Sequence, residues 1–154
     1  MKKELQEKLY DQYPLLFVQK DASVQESCMP WGICCGDGWF DLIDTLCGHI
    51  QNRIENVNRD ISYNYNDKPP TLVPIDMGYL KCEVTQVKEK YGGLRFYVDS
   101  SDDYIDGLIS MAEGMSYKIC SECGGKSVNQ TNRGWIYTLC KPCLDVNAKT
   151  TRIL

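Results

Sequence analysis

Apolar residues recur at helical spacing in three parts of the chain: residues 2–12, 39–57 and 102–117. The second pattern is the longest, with apolar residues every three or four positions. The third follows Asp102 and Ser101, and both residue types cap helices well. These patterns predict three helices. The side chains predicted to face inward in the third helix are Ile105, Leu108, Ile109, Ala112 and Met115.

Residues 79–99 show strand periodicity instead. Apolar and polar side chains alternate on both sides of Gly92 and Gly93, and two strands separated by glycines are typical of a β-hairpin. Alternation places Arg95 and Tyr97 on the face opposite the apolar residues of the second strand. The sequence therefore predicts one antiparallel hairpin packed with helices.

Two segments follow neither period. Residues 58–78 are rich in asparagine, aspartate and proline, which predicts a long and mobile loop. Residues 29–40 read MPWGICCGDGWF, with two tryptophans, two adjacent cysteines and three glycines. Asp37 precedes the longest helix and is predicted to be its N-cap, where a carboxylate also suits the helix dipole.

The strongest chemical motif begins at Cys120. The chain reads C-x2-C, then sixteen residues, then C-x2-C. Two such pairs supply the four thiolates of a closed tetrahedral zinc site, which has no open position for catalysis. A redox dithiol fits less well, because redox C-x-x-C motifs occur once, within a βαβ pattern. The spacing predicts one structural Zn²⁺ in a zinc ribbon, with the ligands Cys120, Cys123, Cys140 and Cys143.

Five of the nine cysteines lie outside this motif. Cys28, Cys34, Cys35 and Cys47 fall within twenty residues, close to His49, the single histidine. Their spacing matches no zinc knuckle. A second metal site and a set of buried, unreactive thiols both stay open as interpretations.

Charge divides the chain unevenly. Residues 117–154 carry six lysines and arginines against two acidic residues, whereas residues 1–116 carry eleven against nineteen. This asymmetry predicts two units, an acidic α+β body (1–116) and a basic zinc-ribbon module (117–154). The predicted fold class is thus α+β, a small antiparallel hairpin packed with helices, plus the C-terminal ribbon.

The composition argues against several classes of protein. No apolar run approaches the roughly 18 residues of a membrane span, and the charged N-terminus lacks the apolar region of a signal peptide. With one histidine, no nucleophile motif and no phosphate-binding loop, no catalytic constellation can be proposed. We therefore expect an intracellular protein that is not an enzyme and does not bind membranes.

Residues 29–40 are the candidate recognition surface. Trp31 and Trp39 flank a glycine-rich loop around Asp37, and Arg95 and Tyr97 would complete a pocket for a nucleotide-like ligand if the two elements meet. The alternative is that both tryptophans are core and the glycines serve a tight turn. Trp31 is the better contact candidate, whereas Trp39 has helical neighbours to pack against.

The blocks CCGDGWFDLIDTLC (34–47) and VKEKYGGLRFYVD (87–99), followed by the four-cysteine ribbon, resemble a group of small proteins of tailed bacteriophages and prophages. The resemblance covers residues 28–143. It implies a phage accessory protein in the cytoplasm of the infected bacterium, where small early phage proteins often bind and disable host defence or regulatory factors. It implies no catalytic residues.

Three partners are compatible with these observations. The first is a host protein that the chain inhibits, and the second is a nucleotide-type signalling molecule that the chain sequesters. The third is nucleic acid, contacted by cations and aromatics of the ribbon: Lys126, Arg133, Trp135, Tyr137 and Lys141. Sequence-specific DNA binding is not expected, because the acidic body repels phosphate. A homo-oligomer is compatible with the sequence.

Overall fold

The computed structural model describes residues 1–66, 79–132 and 135–150. Its helices and strands are α1 (Lys3–Gln12), α2 (Phe40–Asn66), β1 (Val84–Lys90), β2 (Gly93–Val98), α3 (Asp103–Ser116), β3 (Val128–Asn132), β4 (Trp135–Leu139) and α4 (Lys141–Thr150). Three short 3₁₀ turns cover Val18–Asp21, Met29–Trp31 and Asp37–Trp39. The strands form two antiparallel pairs, β1–β2 and β3–β4. The predicted α+β fold is confirmed.

One apolar core joins α1, α2, α3 and the β1–β2 hairpin. The periodic face of α2 lies in this core, as its spacing predicts. The largest fully buried side chains include Leu9, Phe17, Met29, Trp39, Ile43, Ile50, Val84, Val87, Leu94 and Ile105. Among the described residues, no helix combines the length and apolarity needed to cross a membrane.

Helix α2 is longer than predicted. It runs to Asn66, so the loop prediction is wrong for residues 58–66, while residues 67–78 lie outside the described residues. Polar composition predicts a loop only when the side chains lack tertiary partners, and the first of these residues, Asn58, has one. The amide of Asn58 donates to the carbonyl of Leu80 at 3.0 Å and accepts from the Leu80 N–H at 2.8 Å.

Helix α3 begins where its cap predicts. The carboxylate of Asp102 accepts a hydrogen bond from the Ile105 N–H at 2.9 Å, which satisfies one amide of the first turn. The prediction that Met115 faces inward is wrong, because Met115 is exposed and Ser116 is buried in its place. The last turn of α3 therefore presents a hydroxyl, and not a thioether, to the hairpin.

Both free edges of the hairpin are covered. The Leu94 N–H of β2 donates to Ser116 Oγ at 2.9 Å, and the Phe96 N–H donates to Glu113 Oε1 at 3.0 Å. On the other side, the segment 27–34 forms backbone hydrogen bonds with β1. These contacts occupy edge groups that would otherwise be open to strand pairing.

The hairpin turn differs by one residue from the prediction. Tyr91 and Gly92 are the two turn residues, both with positive φ (53° and 75°), while Gly93 pairs with Lys90. Positive φ at both positions is the signature of a type I′ turn. Gly93 is required for another reason, since a Cβ there would lie 2.4 Å from the ring of Tyr117.

Candidate metal centre and its docking loop

Four cysteine thiols converge at the C-terminal ribbon. The sulfur atoms of Cys120, Cys123, Cys140 and Cys143 all lie within 4.8 Å of one another, and the Cys123 and Cys140 sulfurs are 3.6 Å apart. Metal–sulfur bonds of about 2.3 Å in a tetrahedron place sulfurs about 3.8 Å apart. The group is thus positioned to hold one metal ion.

Backbone geometry prepares the first pair of ligands. The Gly124 N–H donates to the Cys120 carbonyl at 2.9 Å, and the Cys120 N–H donates to the Gly125 carbonyl at 2.7 Å. Gly124 has φ +75°, a conformation that other residues rarely adopt. Burial alone would raise the pKa of Cys120, but backbone N–H groups of the two knuckles lower it to about 7. The Cys120 thiol therefore loses its proton more readily than a free cysteine does.

The docking loop, residues 36–38, receives this knuckle directly. A Cβ at Gly36 would lie 2.0 Å from the Ser121 carbonyl oxygen, and a Cβ at Gly38 would lie 2.2 Å from the Cys120 carbonyl oxygen. The Gly38 N–H donates to the Ser121 carbonyl at 2.9 Å. Two of the three glycines in residues 29–40 are therefore explained by close approach of the knuckle backbone.

Trp39 continues the docking contact into the core. Its side chain is 0% exposed, and its indole Nε1–H donates to the Ile119 carbonyl at 2.9 Å. Trp39 is therefore a core residue, as its helical neighbours indicate, and the interpretation that it contributes to the recognition surface is wrong. A second bond, from Thr138 Oγ1 to the Gly92 carbonyl, ties the ribbon to the hairpin turn. The division into a body and a separate ribbon module stays a prediction.

Asp37 does not cap α2, and that prediction is wrong. Its carboxylate accepts a hydrogen bond from the Lys2 backbone N–H at 2.7 Å and forms an ion pair with the Lys2 ammonium at 3.1 Å. This backbone hydrogen bond, together with the ion pair, lowers the pKa of Asp37. The carboxylate thus joins the docking loop to the start of α1, since α2 begins only at Phe40 after a 3₁₀ turn.

Trp31 is exposed, at 72% of its full accessible surface. It borders a cavity of about 290 Å³ whose wall includes Tyr10, Lys3 and Lys20. Gly32, the next residue, has φ +77°, and a Cβ there would lie 2.4 Å from the side-chain oxygen of Gln6. The third glycine of the stretch is therefore needed where the chain passes α1.

Arg95 and Tyr97 do not line the cavity beside Trp31. The Arg95 guanidinium donates to Tyr117 Oη at 3.0 Å and approaches the Glu113 carboxylate at 3.4 Å, so it contacts α3 and the residue just after that helix. Tyr97 lies under the Lys88 ammonium and borders a different cavity. Sequence reasoning missed these partners because it could not place α3 beside β2.

Among the described residues, the second cysteine group does not form a metal site, whereas the ribbon cysteines are positioned to hold an ion. Cys28 and Cys34 are exposed, whereas Cys35 and Cys47 are buried. Burial raises the pKa of Cys35 to about 12 and raises that of Cys47 as well. These two thiols behave as small apolar side chains.

The ribbon surface bears on the nucleic-acid interpretation. Lys126, Tyr137 and Lys141 are exposed. Arg133 lies outside the described residues, as does the side chain of Trp135. Two cations and one ring thus stand on a surface that could contact phosphate and base, and this function stays a prediction.

Comparison with known protein families, with curated proteins and with solved structures found no match to this chain.

Proposed function

We propose that this protein is a non-catalytic phage accessory protein that binds and inhibits a host defence or regulatory factor in the infected cell. The observation that carries the proposal is the exposed indole of Trp31. An aromatic of this size at 72% exposure lies outside the core, and tryptophan is enriched among residues that dominate binding energy.

The loop that carries Trp31 is fixed on both sides. The Gly32 N–H donates to the Met29 carbonyl at 2.8 Å, and the Ile33 N–H donates to the side-chain oxygen of Gln6 at 2.8 Å. The Cys34 N–H then donates to the Val87 carbonyl of β1 at 2.9 Å. A loop backbone held in this way loses little freedom on binding, which favours affinity.

The test compares tagged wild-type protein with Trp31→Ala during expression in a bacterial host. Tyr91→Asn is the matched control, because Tyr91 is 68% exposed and asparagine tolerates its positive φ. Quantitative mass spectrometry should find a host protein retained by wild type and Tyr91→Asn and lost from Trp31→Ala. Equal retention by all three variants would contradict the proposal.

We further propose that the ion held by the four cysteines is Zn²⁺ with a structural role. Four thiolates in a closed tetrahedron suit this soft, redox-inactive ion and leave no position for substrate. Elemental analysis of the purified protein should find one zinc per chain. Cys123→Ser should lose most of it and unfold the chain beyond about residue 117, while Cys34→Ser, an exposed cysteine outside the site, should retain it. Protein without zinc would refute this.

A second candidate function is sequestration of a nucleotide-type molecule, favoured by the cavity beside Trp31. An indole for stacking and the ammonium groups of Lys3 and Lys20 border the same space. Glu7 and Asp21 also border it and offset this charge. Heat-released ligands from protein purified out of infected cells should contain a nucleotide bound by wild type and absent from Trp31→Ala.

A further inference from the structure

An apolar groove lies between α2 and α3, beside the first cysteine knuckle. Its volume is about 280 Å³. Its apolar wall is formed by Leu42, Leu46, Leu108, Met111, Met115 and Ile119. On α2 the lining extends from Asp41 to His49, eight positions further along, or about 12 Å of helix at 1.5 Å per residue. Trp31 does not line this groove.

The two methionines of the groove are exposed and lie outside the apolar core. Met111 is 57% exposed and Met115 is 44% exposed, one helical turn apart on α3. Flexible, polarisable methionines at an exposed groove suit contact with apolar side chains of varied shape. Single exposed apolar residues need no explanation, but a groove a little over two turns long is larger than such scatter.

Two glycines of α3 are not explained by packing within this chain. A Cβ at Gly107 or at Gly114 would meet no other atom within 4 Å. At 100° per residue, both lie on the same side of α3 as Met111, four residues after the first and three before the second. Glycine in a helix lowers its stability, but neither glycine lines the groove.

The surroundings of the groove are acidic. Residues 37–52 and 102–117 contain no lysine or arginine. Arg53, which follows the first of these segments, pairs with Asp102 at 2.9 Å, and Lys118 follows the second. Asp41 borders the groove and is exposed, as are Asp103 and Asp106 at the start of α3. A second copy of this chain would bring the same carboxylates against one another, whereas a basic partner would neutralise them.

We propose that this groove docks a basic amphipathic α-helix of a partner protein. Apolar side chains of that helix, spaced three and four residues apart, enter between α2 and α3, while its lysines and arginines face the carboxylates of the rim. The proposal is independent of the surface around Trp31 and does not rest on the function proposed for it.

The probe is a fluorescein-labelled peptide of about 18 residues, five helical turns, made of leucine and lysine with leucines on one face. Fluorescence anisotropy at about 0.15 M ionic strength should detect binding to the full-length, metal-loaded protein. A scrambled peptide of the same composition and a leucine–glutamate peptide should both bind at least about tenfold more weakly.

Variants of the groove should weaken this binding. The double variant Met111→Gln/Met115→Gln should raise the peptide Kd by about tenfold or more. Leu15→Gln, another exposed apolar residue that does not line the groove, should leave the Kd unchanged. Trp31→Ala should also bind the peptide as wild type does, so the two proposals fail or succeed separately.

Gly114→Ala separates docking from folding. Alanine should raise the Tm, because it favours the helix and meets no atom of this chain, and it should leave peptide binding unchanged because Gly114 does not line the groove. Equal affinity for the scrambled peptide, no binding of the designed peptide, or binding that survives Met111→Gln/Met115→Gln would overturn the proposal. So would a wild-type dimer in sedimentation velocity that this double variant dissociates, because the occupant would then be a second copy.

Discussion

At the scale of single residues, two tryptophans eight positions apart have opposite environments. Trp39 is buried and donates a hydrogen bond to the ribbon, whereas Trp31 stands in solvent on a fixed loop. Both belong to one glycine-rich stretch, so composition alone does not separate them. Their positions relative to α2 do, because Trp39 leads directly into the buried face of that helix.

This difference predicts unequal losses of stability. Trp39→Ala should lower the free energy of unfolding by about 3–5 kcal/mol, because it leaves a cavity and an unpaired carbonyl at Ile119. Trp31→Ala should change it by less than about 0.5 kcal/mol. Urea unfolding of the metal-loaded proteins measures both, with Trp39→Phe as an intermediate case that keeps most of the volume. Similar losses for both alanine variants would mean that Trp31 also supports the fold.

At the scale of elements, the docking loop and the first knuckle fit each other backbone to backbone. Gly36 and Gly38 have no space for a side chain because carbonyl groups of the knuckle occupy it. The Gly38 N–H bond to Ser121 then fixes the register of the two segments. Glycines whose pattern suggests a recognition loop thus serve an internal interface.

We expect Gly38→Ala to disturb this interface. Its Cβ would meet the Cys120 carbonyl, and such overpacking costs about 1–3 kcal/mol. Because the knuckle must shift to relieve the contact, metal affinity should fall too, which competition with a chromogenic chelator measures. Gly107→Ala is the matched control and should stabilise the helix by about 0.5–1 kcal/mol. Unchanged stability and metal affinity in Gly38→Ala would show that the interface yields easily.

How well the sequence predicts this structure depends on how far apart along the chain the interacting residues lie. The helices, the hairpin and the four ligands can be predicted from local spacing, and the Asp102 cap lies three residues from its donor partner. The role of Gly38 depends on a knuckle far along the chain, and no local pattern reports it. The cap prediction for Asp37 fails for the same reason, since its partner Lys2 lies 35 residues away.

At the scale of the whole molecule, the ribbon is fastened to the body at several points. Trp39, Gly38 and Gly92 each share a hydrogen bond with it. If the metal holds the knuckle in shape, its removal should lower the stability of the body as well as that of the ribbon. The basic ribbon and the acidic body would then respond together, although their compositions suggest independent units.

Metal removal should therefore destabilise the body as well as the ribbon. Treatment with a strong chelator under reducing conditions should lower the Tm followed through the helical circular dichroism signal. Hydrogen exchange should show the largest loss of protection at Gly38 and at the first turn of α2, and a smaller loss at Leu94 and Phe96 of β2, whose N–H groups bond to α3. A body that melts unchanged without metal would show that the ribbon is an independent appendage.

The contact between Trp39 and Ile119 also has a consequence for biosynthesis. The two residues are 80 positions apart, and a ribosome adding roughly 5–20 residues per second needs about 4–16 s to cover that distance. During that interval the Trp39 indole N–H and the Gly38 N–H have no hydrogen-bond partners, because the first cysteine knuckle has not yet been synthesised. A truncated polypeptide that ends before the knuckle would never form these hydrogen bonds. Such a product should depend on chaperones or be degraded.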